Sequence, residues 1–131
     1  MQRKPVWVRE DAVLAIHRRQ IAEHGGLGAI RDGKLLESAL AKPKNLYLYS
    51  KPKATIAMLA ASYAYGLAKN HPFLDGNKRV ALTVCRLFLK LNGADLKASQ
   101  AEKYKIFMKL ASGKLTEHKL ADWIENNLTR S

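Results

Sequence analysis

The sequence predicts an all-α fold: a bundle of five or six helices with one short β flap, in a single domain of residues 1–131. Apolar residues recur every three or four positions through most of the chain, which is helical spacing. Ser, Thr or Asp stands where several of these stretches begin, and Gly stands where several end. With 131 residues, 47% of them hydrophobic, the chain is long enough to bury one packed core.

The first two predicted helices are bounded by local signals. One begins at Glu10 and Asp11, whose negative charges suit the positive end of a helix, and it stops at Gly25–Gly26. Asp32 caps a short second helix that runs to Leu40. Residues 6–8 either form a short strand or enter the first helix as extended chain. The later helices are predicted at about 53–69, 80–91, 99–111 and 116–128.

The segment at about 43–52 is the predicted flap. Pro43 and Pro52 bracket it, and Asn45–Tyr49 between them alternates and is rich in strand formers. This pattern favours an extended flap or a small hairpin between two helices.

The predicted helix at 80–91 is apolar nearly all round, which is typical of a central, buried helix. Cys85 lies within it and is interpreted as a small core residue. The polar residues nevertheless share one face, because they follow the spacing i, i+4, i+7, i+11. They are Arg79, Thr83, Arg86 and Lys90.

The chain carries a formal net charge of +12, from 23 Lys and Arg against 11 Asp and Glu. Such an excess predicts attraction to polyanions: a nucleotide, a nucleic acid or an acidic protein. The basic residues are scattered, so a purely solubilising role is the competing interpretation. No apolar stretch is long enough to span a bilayer, and the single cysteine excludes an internal disulfide. A cytoplasmic protein is the simplest interpretation.

Residues 71–79, His-Pro-Phe-Leu-Asp-Gly-Asn-Lys-Arg, form a loop that leads directly into the helix at 80–91. Lys78 and Arg79 lie in its first turn, where a helix already carries partial positive charge and cations are unfavourable. The free backbone N–H groups of a first turn bind anions, and Gly76 lets the chain approach a bound group closely. Because a bound anion would offset the excess positive charge, the pattern predicts a phosphate site.

Each polar residue of this loop has a candidate role. His71 is the candidate general base, and a buried structural histidine is the alternative. Asp75 is the candidate ligand of Mg²⁺ or a cap of the helix, and the two roles are compatible. The side-chain amide of Asn77 is a further candidate donor to phosphate. The candidate phosphate-binding residues are Gly76, Asn77, Lys78 and Arg79.

The remaining histidines offer no second site. His17, His24 and His118 are isolated in the sequence, and none has a Cys or Glu at the spacing of a metal ligand. The motifs of P-loop NTPases, zinc peptidases and serine hydrolases are absent as well.

The nine residues of the loop resemble the signature of the Fic/Doc superfamily, and specifically of its Doc (death-on-curing) branch. The resemblance spans roughly residues 6–128 and implies an all-helical bundle. It also implies that the flap, around residues 46–49, aligns a target chain by strand addition. Doc-like segments outside the motif are Gly25–Leu27, Arg31–Leu40 and Leu87–Gly93.

The resemblance further implies transfer of a phosphate-containing group from a nucleotide to a protein hydroxyl, with ATP as substrate and Mg²⁺ as cofactor. His71 would be the general base and Asp75 the Mg²⁺ ligand, while Gly76 and Asn77 form an anion hole and Lys78 and Arg79 hold phosphates. Doc-type toxins phosphorylate elongation factor Tu and arrest translation. An acidic antitoxin of the Phd type neutralises them, and the net charge of +12 fits such a partner.

Two positions bear on which phosphorus is attacked. AMP-transferring Fic enzymes usually carry Gly at the position of Lys78 and a second Arg at the position of Leu82. Leu82 cannot bind a phosphate and Lys78 would crowd the usual path, so a protein Ser/Thr kinase that transfers the γ-phosphate is predicted. AMP transfer to a protein hydroxyl is the alternative. A non-catalytic, basic nucleic-acid-binding module is the alternative of another class.

Overall fold

A computed structural model describes residues 4–130; residues 1–3 and 131, the ends of the predicted domain, lie outside the described residues. Residues 4–130 hold six α-helices and two short strands, and the predicted all-α bundle is confirmed. In chain order the elements are α1 (Glu10–His24), α2 (Gly33–Tyr49), α3 (Ile56–Asn70), α4 (Asn77–Leu91), β1 (Ala94–Leu96), α5 (Gln100–Ala111), α6 (Glu117–Asn126) and β2 (Leu128–Arg130).

Most helices begin at a group that accepts their free N–H groups or carries negative charge. Asp32, Ser99 and Thr116, all predicted as caps, accept hydrogen bonds from backbone N–H groups in the first turns of α2, α5 and α6. Thr55 does the same for α3. Helix α1 has no capping side chain, but it has two acidic residues in its first turn.

The predicted flap at 43–52 is wrong, because α2 does not end at Leu40 but stays helical through Tyr49. Pro43 lies inside this helix on its buried face, where core packing of the flanking turns outweighs the missing N–H. The non-helical connection between α2 and α3 is limited to residues 50–55. The inward-facing residues follow helical spacing, not alternation: Leu36, Ala39, Leu40, Pro43, Leu46 and Tyr47.

The β structure lies elsewhere in the chain. Strands β1 and β2 pair antiparallel, with Leu96 opposite Leu128. The helix predicted to run to Leu128 therefore ends at Asn126. Residues 6–8 join no strand. Strands of three residues are too short to show alternation in a sequence, which is why neither was predicted.

Helix α3 is the central helix of the bundle, packed against α2, α4 and α6. Its small residues let the neighbouring backbones approach: a Cβ on Gly66 would lie 3.4 Å from the Cα of Ala39 in α2. Helix α4 also packs against several elements, namely α1, α3, α5 and β1, as expected of a central helix. It is not buried all round as predicted, since it buries one face and leaves Leu82, Leu87 and Leu91 partly exposed. Among residues 4–130, no helix combines the length and apolar character that crossing a bilayer requires.

Cys85 is a core residue, as predicted, and this has a measurable consequence. Its side chain is fully buried in α4, and burial raises the pKa of the thiol to about 12. At pH 8 the native thiol is therefore un-ionised and shielded, so we expect iodoacetamide to leave it unmodified until the protein unfolds. Mass spectrometry after labelling with and without denaturant tests this. Native labelling at the denatured rate would contradict it.

Candidate functional site

The candidate base stands at the carboxyl end of α3. His71 is the residue that follows the helix, and its φ of 50° is a left-handed conformation that residues other than glycine rarely adopt. Its backbone N–H donates to the carbonyl of Leu67. The residue is exposed, so the alternative of a buried structural histidine does not describe it.

Arg31 holds this helix end in place. Its Nε donates to the carbonyl of His71 at 2.6 Å, and its Nη2 donates to the carbonyl of Asn70 at 2.7 Å. A cation is favourable at a helix carboxyl end, where the carbonyl groups lack partners. The unusual backbone of the candidate base is thus fixed by an arginine from the loop between α1 and α2. This role of Arg31 was not predicted from the sequence, in which the Doc-like segment Arg31–Leu40 was its only signal.

Asn77 closes the motif loop (residues 71–76) from the first turn of α4. Its Oδ1 accepts a hydrogen bond from the N–H of Phe73 at 3.1 Å, and its Nδ2 donates to the carbonyl of Phe73 at 2.9 Å. Nδ2 also lies 3.4 Å from Nδ1 of His71. Because Asn77 is only 7% exposed and its side-chain amide is already bonded, the group that it offers to an anion is its backbone N–H. Phe73, 1% exposed, anchors the loop in the core.

A cover segment (residues 25–32), which connects α1 to α2, lies against the motif loop. Ile30 forms a β-bridge with Phe73, and the N–H of Leu74 donates to the carbonyl of Ala29 at 3.1 Å. The N–H of Arg31 donates to the carbonyl of Pro72 at 2.7 Å. The extended chain beside the candidate base is therefore the cover segment, whereas residues 46–49, expected there as a flap, are helical.

Asp75 is exposed and holds the cover segment. Its Oδ2 accepts a hydrogen bond from the N–H of Leu27 at 2.7 Å. It does not cap α4, because the capping position is Gly76 and no side chain accepts a hydrogen bond there. Gly26 passes close by with φ of 113°, and a Cβ at that position would lie 3.1 Å from the Cβ of Asp75. Only glycine meets both demands without strain.

The side chains around Asp75 fit Mg²⁺ only when other ligands come with the ion. Among the residues that the structure describes, no group of three or more His, Cys, Asp or Glu side chains converges on one point. Mg²⁺ usually binds through one or two carboxylates together with phosphate oxygens and water. The single carboxylate of Asp75 therefore suits an ion that arrives with a phosphate-bearing ligand.

The start of α4 differs from the other helix starts. It has no capping side chain and no acidic residue in its first turn. Within residues 4–130, nothing accepts a hydrogen bond from the backbone N–H groups of residues 76–79. Lys78 and Arg79 are exposed and add two positive charges to the partial charge of the helix end. Backbone donors and cations together suit this helix start to an anion, and the phosphate site that the sequence predicts stays a prediction.

A cavity of about 220 Å³ opens at this helix start, between the motif and α5. On the α5 side, Tyr104 is 63% exposed, and the Sδ of Met108 lies 2.9 Å from the Nζ of Lys78. A ligand with an anionic end and a flat apolar end would therefore find a surface for each. The lining residues are Gly76, Asn77, Lys78, Arg79, Leu82, Tyr104, Phe107 and Met108.

The predicted polar face of α4 lines a second, larger cavity of about 670 Å³, the α4 groove. Arg86 binds the carboxylate of Asp95 through two contacts of 3.2 Å. Burial on its own raises the pKa of Asp95, but hydrogen bonds from Arg86 and from a backbone N–H, with the charges of Arg86 and Lys90, lower it overall. The groove is lined by Ile16, Gln20, His24, Arg79, Leu82, Thr83, Arg86, Leu87, Lys90, Gln100 and Tyr104.

The sequence suggested that the other three histidines are isolated, but this does not hold for His17. His17 is buried and its ring stacks on that of Phe73, so it belongs to the site. His24 and His118 are exposed and lie near the carboxylates of Glu23 and Asp122.

Comparison with known proteins identifies the family. A family model described as "Fic/DOC family" matches residues 7–89, which include the motif loop. The chain is 27% identical over 115 residues to "Protein kinase doc" of Escherichia phage P1, covering 88% of this chain and 90% of that protein. It is 36% identical over 74 residues to "Toxin Doc" of Mycolicibacterium smegmatis, covering 56% of this chain and 57% of that protein. The chain belongs to the Fic/DOC family, in its Doc branch.

Proposed function

We propose that this chain is the toxin of a toxin–antitoxin system, a protein kinase that transfers the γ-phosphate of ATP to a Ser or Thr hydroxyl of a translation factor. Elongation factor Tu is the proposed target, and arrest of translation in the cytoplasm is the proposed outcome. The names of two relatives, one a protein kinase and one a toxin, support this class of activity. The observation that carries it is the uncapped, cationic start of α4 beside the exposed His71.

The proposed step begins at His71. Its Nδ1 faces Nδ2 of Asn77, which can only donate, so Nδ1 is the ring nitrogen with the free electron pair. At 3.4 Å the contact is long enough for an incoming hydroxyl to replace it. The hydroxyl proton passes to His71 and the oxygen bonds to the γ-phosphorus. The bond from that phosphorus to the bridging oxygen breaks, and its electron pair leaves on ADP.

The start of α4 would hold the phosphates during this step. Negative charge spreads over the terminal oxygens in the transition state, and fixed N–H groups and cations stabilise it there. Lys78 supplies a point charge and Arg79 a planar fork that matches two phosphate oxygens. Mg²⁺, when bound at Asp75 together with ATP, supplies further neutralisation of the phosphate charge.

The apolar side of the cavity supports transfer of the terminal phosphate over transfer of AMP. Leu82 lines the cavity, at the position where AMP-transferring Fic enzymes usually carry a second arginine. With Tyr104 and Phe107 it forms a wall that suits the nucleoside and offers no charge to a second phosphate. With the nucleoside at this wall, the phosphate chain extends to the cationic start of α4.

Purified protein incubated with ATP, Mg²⁺ and elongation factor Tu tests the proposal. Mass spectrometry of the target separates the reactions, since a phosphoryl group adds about 80 Da and an adenylyl group about 329 Da. The nucleic-acid-binding alternative predicts instead steeply salt-dependent RNA binding that survives His71→Ala. If the purified chain is shown to bind ATP and the mass of elongation factor Tu stays unchanged, elongation factor Tu is excluded as the substrate.

An acidic antitoxin of the Phd type is the proposed partner, and the α4 groove suits it. Apolar Leu82 and Leu87 lie among the cations of Arg79 and Lys90, a surface that fits an acidic amphipathic helix. Arg79 lines both the groove and the smaller cavity at the helix start. A partner in the groove therefore competes with nucleotide for the same guanidinium.

We expect Lys90→Glu to slow association with an acidic antitoxin encoded beside this chain while leaving ATP binding intact. Lys90 lies 11 positions after Arg79, roughly 16 Å along the helix. Reversing a peripheral charge acts mainly on the association rate, so the loss should be several-fold and should shrink as salt rises. Stopped-flow binding at two salt concentrations measures it. Equal rates for both proteins would place the partner elsewhere.

A further inference from the structure

His17 contacts Phe73 and Asp75 of the motif loop from the interior of the fold and lies close to Gly76. It is 2% exposed, and its ring stacks on that of Phe73 with centroids 3.8 Å apart and planes 12° apart. Its Nε2 lies 2.9 Å from the carbonyl oxygen of Asp75. A Cβ on Gly76 would lie 3.6 Å from its Cδ2. An apolar ring would serve the stacking equally well, so the buried polar atom needs another reason.

The hydrogen bond to Asp75 sets the peptide plane that leads into α4. A carbonyl only accepts, so Nε2 of His17 carries the proton. In a planar trans peptide the C=O and the following N–H point in opposite directions. The Asp75 carbonyl turned inward to His17 therefore turns the N–H of Gly76 outward. The φ of 86° at Gly76 permits this plane, which other residues resist.

The outward N–H of Gly76 joins the other free donors of the anion site. Residues 76–79 have no acceptor for these N–H groups within residues 4–130. If the peptide plane between Asp75 and Gly76 rotated, one donor would be lost from that row. The hydrogen bond from His17 opposes this rotation, because the rotation would leave the Nε2–H of the buried His17 without a partner.

We propose that His17 is a positioning residue of the anion site: through Asp75 it aims the Gly76 N–H at the phosphate. The proposal rests on the proposed function of the α4 start as the phosphate site of a nucleotide. His17 acts through the loop and does not itself touch the reacting atoms. Its proton donor, more than its bulk, is then the property that matters.

Three variants separate these properties. His17→Phe keeps the stacking ring and removes the donor. His17→Gln removes the ring and keeps an N–H donor at a similar reach. Val13→Ala, on the same buried face of α1, reduces core packing and serves as the control for lost stability. Calorimetry measures ATP affinity, and residual dipolar couplings measure the direction of the Gly76 N–H bond in the free protein.

We expect His17→Phe to weaken ATP binding on the order of tenfold and to change the Gly76 coupling relative to the rest of the fold. His17→Gln should recover most of the affinity, and Val13→Ala should lower the melting temperature while binding ATP like the wild type. If His17→Phe does not fold, the test depends on His17→Gln. A folded His17→Gln protein with no measurable ATP binding would overturn the proposal.

The coupling measurement keeps the two proposals apart. A wild-type protein that binds no ATP would count against the nucleotide site, whereas the direction of the Gly76 N–H would still report on His17. A His17→Phe protein with the wild-type Gly76 coupling and wild-type ATP affinity would overturn the positioning role directly.

Discussion

His71→Ala is expected to lower the rate of phosphoryl transfer by roughly 10²–10⁴-fold, because a positioned base contributes about that much. The side chain is exposed, and its closest polar contact is the 3.4 Å approach to Asn77. Its removal should therefore leave the thermal unfolding transition cooperative and ATP binding unchanged. Incorporation of labelled phosphate into the target, measured beside the melting curve and ATP affinity, tests all three expectations.

Two further variants serve as controls for this test. His71→Asn also lacks the base, but asparagine tolerates the left-handed conformation at this position better than alanine does, so it separates lost chemistry from backbone strain. His118→Ala removes an exposed histidine of α6 and should have no effect. A His71→Asn protein that still transfers phosphate at the wild-type rate would rule out the base assignment.

The motif loop could be predicted from the sequence because its signals are local. Lys78 and Arg79 stand two and three positions after Gly76, and their conflict with the helix end is visible without any knowledge of the fold. The caps Asp32, Ser99 and Thr116 were predicted for the same reason, since each bonds to an N–H within three positions.

The flap was mispredicted because two periods compete over a short segment. Asn45–Tyr49 alternates, but five residues cannot outweigh the longer helical pattern that begins at Leu36. In the sequence Pro43 indicates a boundary of the flap, yet it lies on the buried face of α2. Burial of that face against α3 decides the structure, and it is a tertiary effect.

His17 and Arg31, which hold the motif loop in place, could not be predicted because the residues that they contact are distant in sequence. His17 bonds to a residue 58 positions away, and Arg31 to one 40 positions away. Each uses an ordinary side chain, and although Arg31 begins a Doc-like segment, no local pattern shows what either side chain binds. Only the fold shows that α1 and the cover segment carry the parts that hold the motif loop.

Lys78→Glu is expected to change stability and function in opposite directions. The start of α4 has no cap and no acidic residue, so replacing a cation with an anion there should stabilise the free protein by roughly 0.5–1 kcal/mol at low ionic strength. The same carboxylate repels phosphate and removes a ligand, so ATP affinity should fall by more than about tenfold. Urea unfolding and calorimetry measure the two effects.

Lys119→Glu is the matched control for this opposition. Lys119 also lies in a first turn, that of α6, where Thr116 already accepts its N–H. The charge reversal should stabilise that helix as well, by the same dipole effect, but without any change in ATP affinity. If Lys78→Glu instead destabilised the free protein, the first turn of α4 would already have its charge balanced. A functional site at a helix start is therefore recognisable because its residues lower the stability of the fold, and a single substitution is expected to restore that stability.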